Sequence, residues 1–385
     1  METVPCNLCG AEANRLRHEV PVDDRGLRFY RYARRAPADC TGAFRIVECV
    51  QCGLLYTNPR LDARQLGQVY GDGSVLGGNW RSFERYLFAE EQPDDLGDPR
   101  RGEAWRAADQ TWKLDILKTY GVRPGATILD VGCGRGEFVA AARAQGYDAV
   151  GVDVAPDRIA FGRERLGLGP HLAVADAGGG LPPLLAGRRF DAITLWDVIE
   201  HLRDPKDALA ALRPSSHGRT RLFVHTMTVD SGAYRWFGRR WYYIYPPIHL
   251  YYFSSQTMRA LLERAGFDPV GEAQGPAKRL TPWRLVTARL RGLANHLMFA
   301  IYGPRRSVWR LLRPLLRPWQ GSISDARMEQ RLENLYPGYY SGRFRDEVVF
   351  IAHSRAPATA GPPAPLEVLT QGRSDTVKPL VVCKS

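Results

Sequence analysis

The stretch "DVGCGRGEF", residues 130–138, sets a carboxylate and three glycines directly after the apolar run "ATIL". Gly132, Gly134 and Gly136 read G-x-G-x-G, which is neither the G-x-G-x-x-G of a dinucleotide loop nor, lacking a lysine, a triphosphate-cradling loop. Asp130 would repel a pyrophosphate, whereas it would attract a ligand carrying an ammonium and a sulfonium. The glycines let the backbone approach that ligand closely. Further acids follow at Asp153, Asp176 and Asp197, each 21 to 23 residues after the one before. An acid one strand-helix unit beyond the first suits hydrogen bonding to the two hydroxyls of a ribose, so the ligand is expected to be a nucleoside.

A second constellation is built from sulfur. "CNLCG" holds Cys6 and Cys9, and "CVQCG" holds Cys49 and Cys52. Two such knuckles supply four thiolates for a tetrahedral Zn2+, and a closed site of this kind contributes folding stability and leaves no open coordination position. The duplicated spacing and a reducing compartment argue against a redox or disulfide reading. Cys40 is a spare thiol nearby, and Cys133 reads as a small residue accommodated inside the glycine cluster.

The elements that must position these groups follow from pattern. "ATILDVG", "AVGVDV" (149–154), "LAVADA" (172–177), "FDAITLWDV" (190–198) and "TRLFVHTM" (220–227) predict strands. "GEFVAAARAQG", "PDRIAFGRERLG" (156–167) and "PKDALAALRP" (205–214) predict helices between them, the second opened by Pro156. Alternation of this kind means a doubly wound, mostly parallel α/β sheet covered on both faces, with its ligand beyond the carboxyl ends of the strands. The acids stand at those ends. The expected organisation is a zinc ribbon over 1–60, a helical connector and lid over 61–120, the ligand-binding core over 121–273, a basic helical insertion over 274–347, a last core strand over 348–356 and a flexible Pro- and Ala-rich tail over 357–385.

Composition bounds the partners. The chain has 385 residues, 44% of them hydrophobic, which is enough for a full core and smaller attachments. The start, "METVPCNLCG", shows no basic region followed by an apolar one, and no apolar run reaches 18 residues, so a cytoplasmic location is expected. A net charge of +12 admits a nucleic acid, an anionic small molecule or an acidic membrane surface.

With the ordered acids behind the glycine cluster, the chain resembles the class I S-adenosylmethionine-dependent methyltransferases over roughly residues 120–273, with a final strand near "EVVFIAHS" (347–354). The resemblance implies a seven-stranded Rossmann-like sheet and S-adenosylmethionine as cofactor. It implies that Gly132 and Gly134 contact the methionine part, Asp153 the ribose, Asp176 the adenine amino group, and that Asp197 lies beside the sulfonium; Asp130, Cys133, Val154 and Ala177 complete the expected cofactor contacts. "WDVIEHLRDP" (196–205) is similar to the segment after the fourth strand in the small-molecule branch, and the ribbon is similar to that of bacterial methyltransferases encoded near sugar-modifying or natural-product enzymes.

Methyl transfer from a sulfonium is an in-line displacement that needs alignment and a base for the acceptor's proton. His201, His249 and His225 are the candidates, the first two preferred. Some relatives hold a divalent metal with Glu and His here, so Glu200 and His201 carry that alternative. Ten aromatic residues between 234 and 253 suggest either an acceptor pocket or a cover over the sheet end. The family pattern is departed from after residue 273, where a long segment carries ten Lys or Arg and no acid between 273 and 324. Its helices suit a packed cap, an acidic membrane surface, or an anionic acceptor such as a nucleotide-linked or lipid-linked sugar. The leading expectation is a methyltransferase acting on O or C of a small molecule, a saccharide or natural-product intermediate. An RNA methyltransferase is the alternative, weakened by the absence of an Asn- or Asp-Pro-Pro-aromatic motif after the fourth strand. A catalytically silent cofactor-binding scaffold is the third.

Overall fold

The two cysteine knuckles are turns of a small antiparallel sheet. The first precedes β1 (Asn14–Pro21), and the second joins β2 (Ala43–Cys49) to β3 (Leu55–Thr57). The structure, a computed structural model, describes residues 1–21, 43–66, 110–176, 185–241, 243–244, 246–274 and 347–355. The expectations for Cys40, Ala177, the lid below residue 110, the basic helices and the tail lie outside the described residues.

The core alternates as its pattern requires. After a helix over 110–119 come β4 (Thr127–Val131), α1 (Glu137–Ala144), β5 (Asp148–Asp153), α2 (Pro156–Arg165), β6 (Leu172–Val174), β7 (Phe190–Trp196), α3 (Pro205–Ala211) and β8 (Ser216–Met227). α4 (Gly232–Phe237), β9 (Tyr251–Tyr252), α5 (Ser255–Arg264), β10 (Phe267–Gln274) and β11 (Glu347–Ser354) complete it. The sheet is seven-stranded in the order β10-β11-β8-β7-β4-β5-β6; β11 runs antiparallel to both neighbours and the strands from β8 to β6 are parallel. This is the Rossmann-like methyltransferase fold. Strands such as β4 and β7 are buried almost throughout because helices cover both faces, which explains their unbroken apolar runs. The third strand is shorter than its sequence run, ending at Val174.

One boundary differs from expectation. The ribbon sheet has the order β1-β2-β3-β9, so its fourth strand comes from the segment after β8, well inside the expected core. Ribbon side chains such as Phe44, Ile46 and Tyr56 share one hydrophobic cluster with Leu195, Val224 and Phe253. The segment 250–253, Leu-Tyr-Tyr-Phe, is buried throughout and pairs with β3, as aromatic residues favour. No helix among the described residues is long and apolar enough to cross a membrane.

The glycine loop is wedged by α2. A Cβ on Gly162 would sit within bonding-contact range of the Arg135 carbonyl oxygen and against the Leu172 side chain. Overpacking of about 1–3 kcal/mol should outweigh the ~1 kcal/mol gained in helix propensity. Gly162→Ala is therefore expected to lower the urea midpoint of unfolding, and an unchanged or raised midpoint would show that the loop can retreat freely.

Candidate functional site

β4 lies between β5 and β7, where the strand order reverses, and sheets of this kind take their ligand in a crevice beyond the carboxyl ends of the strands at that point. Gly132 has φ +72°, and a side chain there would collide with Val198, next to Asp197. Gly134 N–H donates to Asp153 Oδ2 at 2.9 Å and Ala155 N–H donates to Oδ1 at 2.9 Å. Both oxygens keep a lone pair for a ligand hydroxyl. Asp130 is buried and accepts a 2.6 Å bond from the Thr194 hydroxyl. Burial pushes its carboxyl up to about 7, with Asp153 and Glu137 adding to the rise and Thr194 and Lys113 opposing it. Cys133 is buried against Gly151, which has no room for a Cβ, and burial first, then Asp130, drives its thiol well above the usual range. It is the small filler expected. Val154 is exposed at the rim, and Asp176, past the end of β6, is exposed as well.

Two contributors escaped the sequence reading. Thr194 sits in an apolar strand, where a lone hydroxyl is itself a signal. Lys113, on the helix over 110–119, is buried with its ammonium 5.5 Å from the Trp196 ring and places a positive charge among the acids. Its sequence neighbours Trp112 and Leu114 mark the helix as packed, but nothing local says which way Lys113 turns.

The three histidines fall into two groups. His225 Nδ1 lies 3.0 Å from Asp197 Oδ1. Burial alone would lower the imidazole, but the Asp197 charge and contact raise it; what burial Asp197 has would raise its carboxyl, but the side chain is 55% exposed and His225, Lys113 and His201 bring it down to about 2. Asp197 has φ +55°, the one positive value among described non-glycine residues, a strained backbone placed where the crevice opens. His201 and His249 stack edge to face with ring centroids 4.8 Å apart, beside Glu200. His201 Nδ1 donates to Ile248 O at 3.2 Å and His249 Nδ1 to Tyr243 O at 2.8 Å, which leaves Nε2 as the lone-pair nitrogen in both neutral rings. Burial brings His201 down to about 4 and His249 well below its ordinary value. Glu200 is buried and pushed up to about 7, by burial and then by Asp197. Its Oε2 accepts from Thr226 at 3.1 Å; its Oε1 has no hydrogen-bond partner and lies 3.8 Å from His201 Nε2. Ligand-capable atoms of Glu200, His201 and His249 are all within 4.8 Å of one another.

The aromatic stretch mainly covers. Trp241, Tyr251, Tyr252 and Phe253 are fully buried in the core, and Tyr243 contributes its hydroxyl to Thr226 at 2.7 Å. At the ribbon, Sγ of Cys6 and Cys52 are 3.5 Å apart, those of Cys9 and Cys49 3.4 Å, and all four lie within 4.8 Å. A tetrahedral zinc tetrathiolate has sulfurs about 3.8 Å apart, so the donor set fits.

Residues 103–272 match the model of a family described as a methyltransferase domain. A ubiquinone biosynthesis O-methyltransferase of Xylella fastidiosa is 32% identical over 124 residues, covering 32% of this chain and 50% of the relative. One from Cereibacter sphaeroides is 29% identical over 155 residues, 38% of this chain and 62% of the relative. The chain thus spans about half the length of the first curated relatives it matches. Among solved structures, a SAM-dependent methyltransferase from Archaeoglobus fulgidus overlaps with TM-score 0.42 at 17% identity, covering 72% of this chain and all, 100%, of that one. The family match and the strand order of the seven-stranded sheet agree on a fold shared with methyltransferase domains.

Asp130 gives this site a pH signature. Its folded value, about 7, lies above the ordinary 3.8, so its stabilising contribution is complete below that ordinary value and lost as pH rises through 7. In urea unfolding from pH 5 to 8, wild type should lose stability relative to Asp130→Asn, with the gap levelling off above 7. Parallel pH profiles would show that Asp130 is already ionised in the folded chain.

Proposed function

We propose that the protein is an S-adenosylmethionine-dependent methyltransferase acting on O or C of a small molecule, a saccharide or natural-product intermediate. The observation that carries the reading is the Asp153 carboxylate, fastened by Gly134 and Ala155 N–H groups beside buried Asp130. That arrangement suits a ribose diol next to a cationic chain, and no residue of this loop supplies a cation for a pyrophosphate's charge except Arg135, which stacks on Phe161. The relatives named for O-methylation support oxygen as the receiving atom.

When bound, the cofactor supplies an electrophilic methyl on sulfur. The protein's share is alignment and proton handling. Asp130 would meet the ammonium, Gly132 and Gly134 would let the cofactor chain lie close, Asp153 would hold the ribose, and Asp176 would take the adenine amino group. Asp197, held by His225, keeps a negative charge at the crevice mouth. His225 is engaged by Asp197, and His201 and His249, whose Nδ1 atoms are held by carbonyls, are the groups that would receive the acceptor's proton at Nε2.

A second reading of the same three side chains has its own support. The unpartnered, buried Glu200 Oε1 and the two Nε2 lone pairs form a donor set that suits a divalent cation, each imidazole oriented through Nδ1 by a carbonyl. A metal there would supply a Lewis acid for the acceptor oxygen. The thiolate set of the ribbon is read as a structural Zn2+ site.

Calorimetric titration with S-adenosylhomocysteine tests the main reading: wild type should bind in the micromolar range and Asp153→Ala at least tenfold more weakly. A folded wild type that does not bind would sink it. Elemental analysis of the purified chain should find one zinc, retained in His249→Ala. Added Mn2+ should bind wild type and not His249→Ala if the triad is a metal site; equal binding by both would leave the histidines as bases.

A further inference from the structure

We infer that the thiolate ribbon is a positioning device for the acceptor side of the crevice, gripping the segments that carry Glu200, His201 and His249 from two separate points. The inference deepens the methyltransferase reading and, for the metal's part in it, rests on zinc at the four cysteines.

The first grip comes from the first knuckle. Asn7 lies between Cys6 and Cys9, so thiolate ligation at both ends fixes its backbone. Its Oδ1 accepts from Lys206 N–H at 3.1 Å and its Nδ2 donates to Asp204 Oδ1 at 3.3 Å. α3 receives no cap from its own N-cap residue, Asp204, and Asn7 fills that role from across the interface. Buried Arg60 adds a bond from Nη1 to the Arg203 carbonyl, while Glu2 receives Arg60 Nε at 2.9 Å and Arg203 Nη2 at 2.7 Å. The chain leaving Glu200 and His201 is thereby pinned at residues 203–206.

The second grip comes from the other knuckle. Cys49–Cys52 is the turn that sets the β2–β3 hairpin. β3 pairs with β9 through Leu55↔Tyr252 and Tyr56↔Tyr251. At its end Thr57 donates its N–H to Leu250 O at 2.9 Å and its hydroxyl to His249 O at 2.9 Å. The two gripped segments also hold each other, since Leu250 N–H donates to Glu200 O at 2.8 Å and His201 Nδ1 to Ile248 O. The cofactor loop is fastened differently, by bonds within the seven-stranded unit from Gly134, Ala155 and Thr194. Asn7, Thr57 and Arg60 are thus positioning residues for the acceptor groups and not for the cofactor.

The test uses the full chain labelled with 13C at its histidine rings, the His201, His249 and His217 signals being assigned by single His→Gln variants. His217, paired with Asp191 away from the grips, serves as internal reference. Asn7→Ala should shift or broaden the His201 signal and Thr57→Val the His249 signal. Thr57→Ser, which keeps the hydroxyl, should restore it. Extracting the zinc should move both, and S-adenosylhomocysteine affinity should stay within about twofold throughout. Unmoved His201 and His249 signals in Asn7→Ala and Thr57→Val would overturn the inference. So would a loss of cofactor affinity and a His217 shift in step with them, because the ribbon would then merely support the whole fold. A purified chain without zinc would overturn the metal's part, since the two substitutions test the grips without it. A wild type that never binds the cofactor analogue would count against the methyltransferase reading, while the ring signals still judge the grips.

Discussion

Four carboxylates, Asp130, Asp153, Asp197 and Glu200, converge on one end of a sheet whose surroundings are mostly apolar, and the site is organised by the need to compensate them. Like charges in a medium of low dielectric cannot all ionise unless each is paired or hydrogen-bonded. The solutions differ. Asp153 takes two backbone N–H groups, Asp197, half exposed, takes the His225 imidazole, and Asp130 and Glu200 take one hydroxyl each and are pushed up toward neutrality. Lys113 is brought in among them from the helix over 110–119. A cationic ligand would complete this compensation, which is why a sulfonium nucleoside suits the crevice better than any phosphate.

The same economy explains why the acceptor side looks unlike the cofactor side. Near the glycine loop, compensation comes from backbone amides that the strand-loop-helix geometry supplies automatically. Around Glu200, His201 and His249 the chain is 3-10 turn and irregular loop, with no repeating hydrogen-bond ladder to set it. Such segments need external fastening. The ribbon sheet supplies it, and β9 is the junction at which ribbon and core become continuous.

Local pattern made much of this legible. Strands and helices of the doubly wound core followed from apolar runs and glycine breaks, and Asp130, Asp153 and Asp197 from their regular spacing at strand ends; Asp176 of the same series lies exposed past β6, and Glu200 was not marked by that spacing. The thiolate set followed from two Cys-x-x-Cys-Gly knuckles. What escaped was whatever depends on distant pairing. β9 is two residues long and is a strand only because β3 lies beside it, so no window of sequence identifies it. The meeting of His249 with Glu200 and His201, far apart in the chain, likewise needs the Leu250–Glu200 latch. Lys113 was invisible because the direction of a lysine on a packed helix is decided by partners elsewhere. The separation of His225 from the other two histidines has a local cause, its place on β8 beside the end of β7, but only the register of that pair brings it against Asp197.

Separating the fastenings has a mechanistic consequence. In-line transfer tolerates little misalignment between acceptor and methyl, so each partner must be held rigidly, yet a cofactor common to many reactions and an acceptor particular to one place different demands on the chain. On the proposed reading the demands fall on different covalent segments: the loop of β4 with β5 for one, and residues 199–206 with 248–252, backed by the ribbon, for the other. On the reading proposed above, changes at the ribbon interface would re-aim His201 and His249 without disturbing Asp153. Function on a shared fold is set by such grafted attachments, and among the described residues the attachment reaches the segments of Glu200, His201 and His249 through backbone groups, such as the carbonyls of His249 and Arg203.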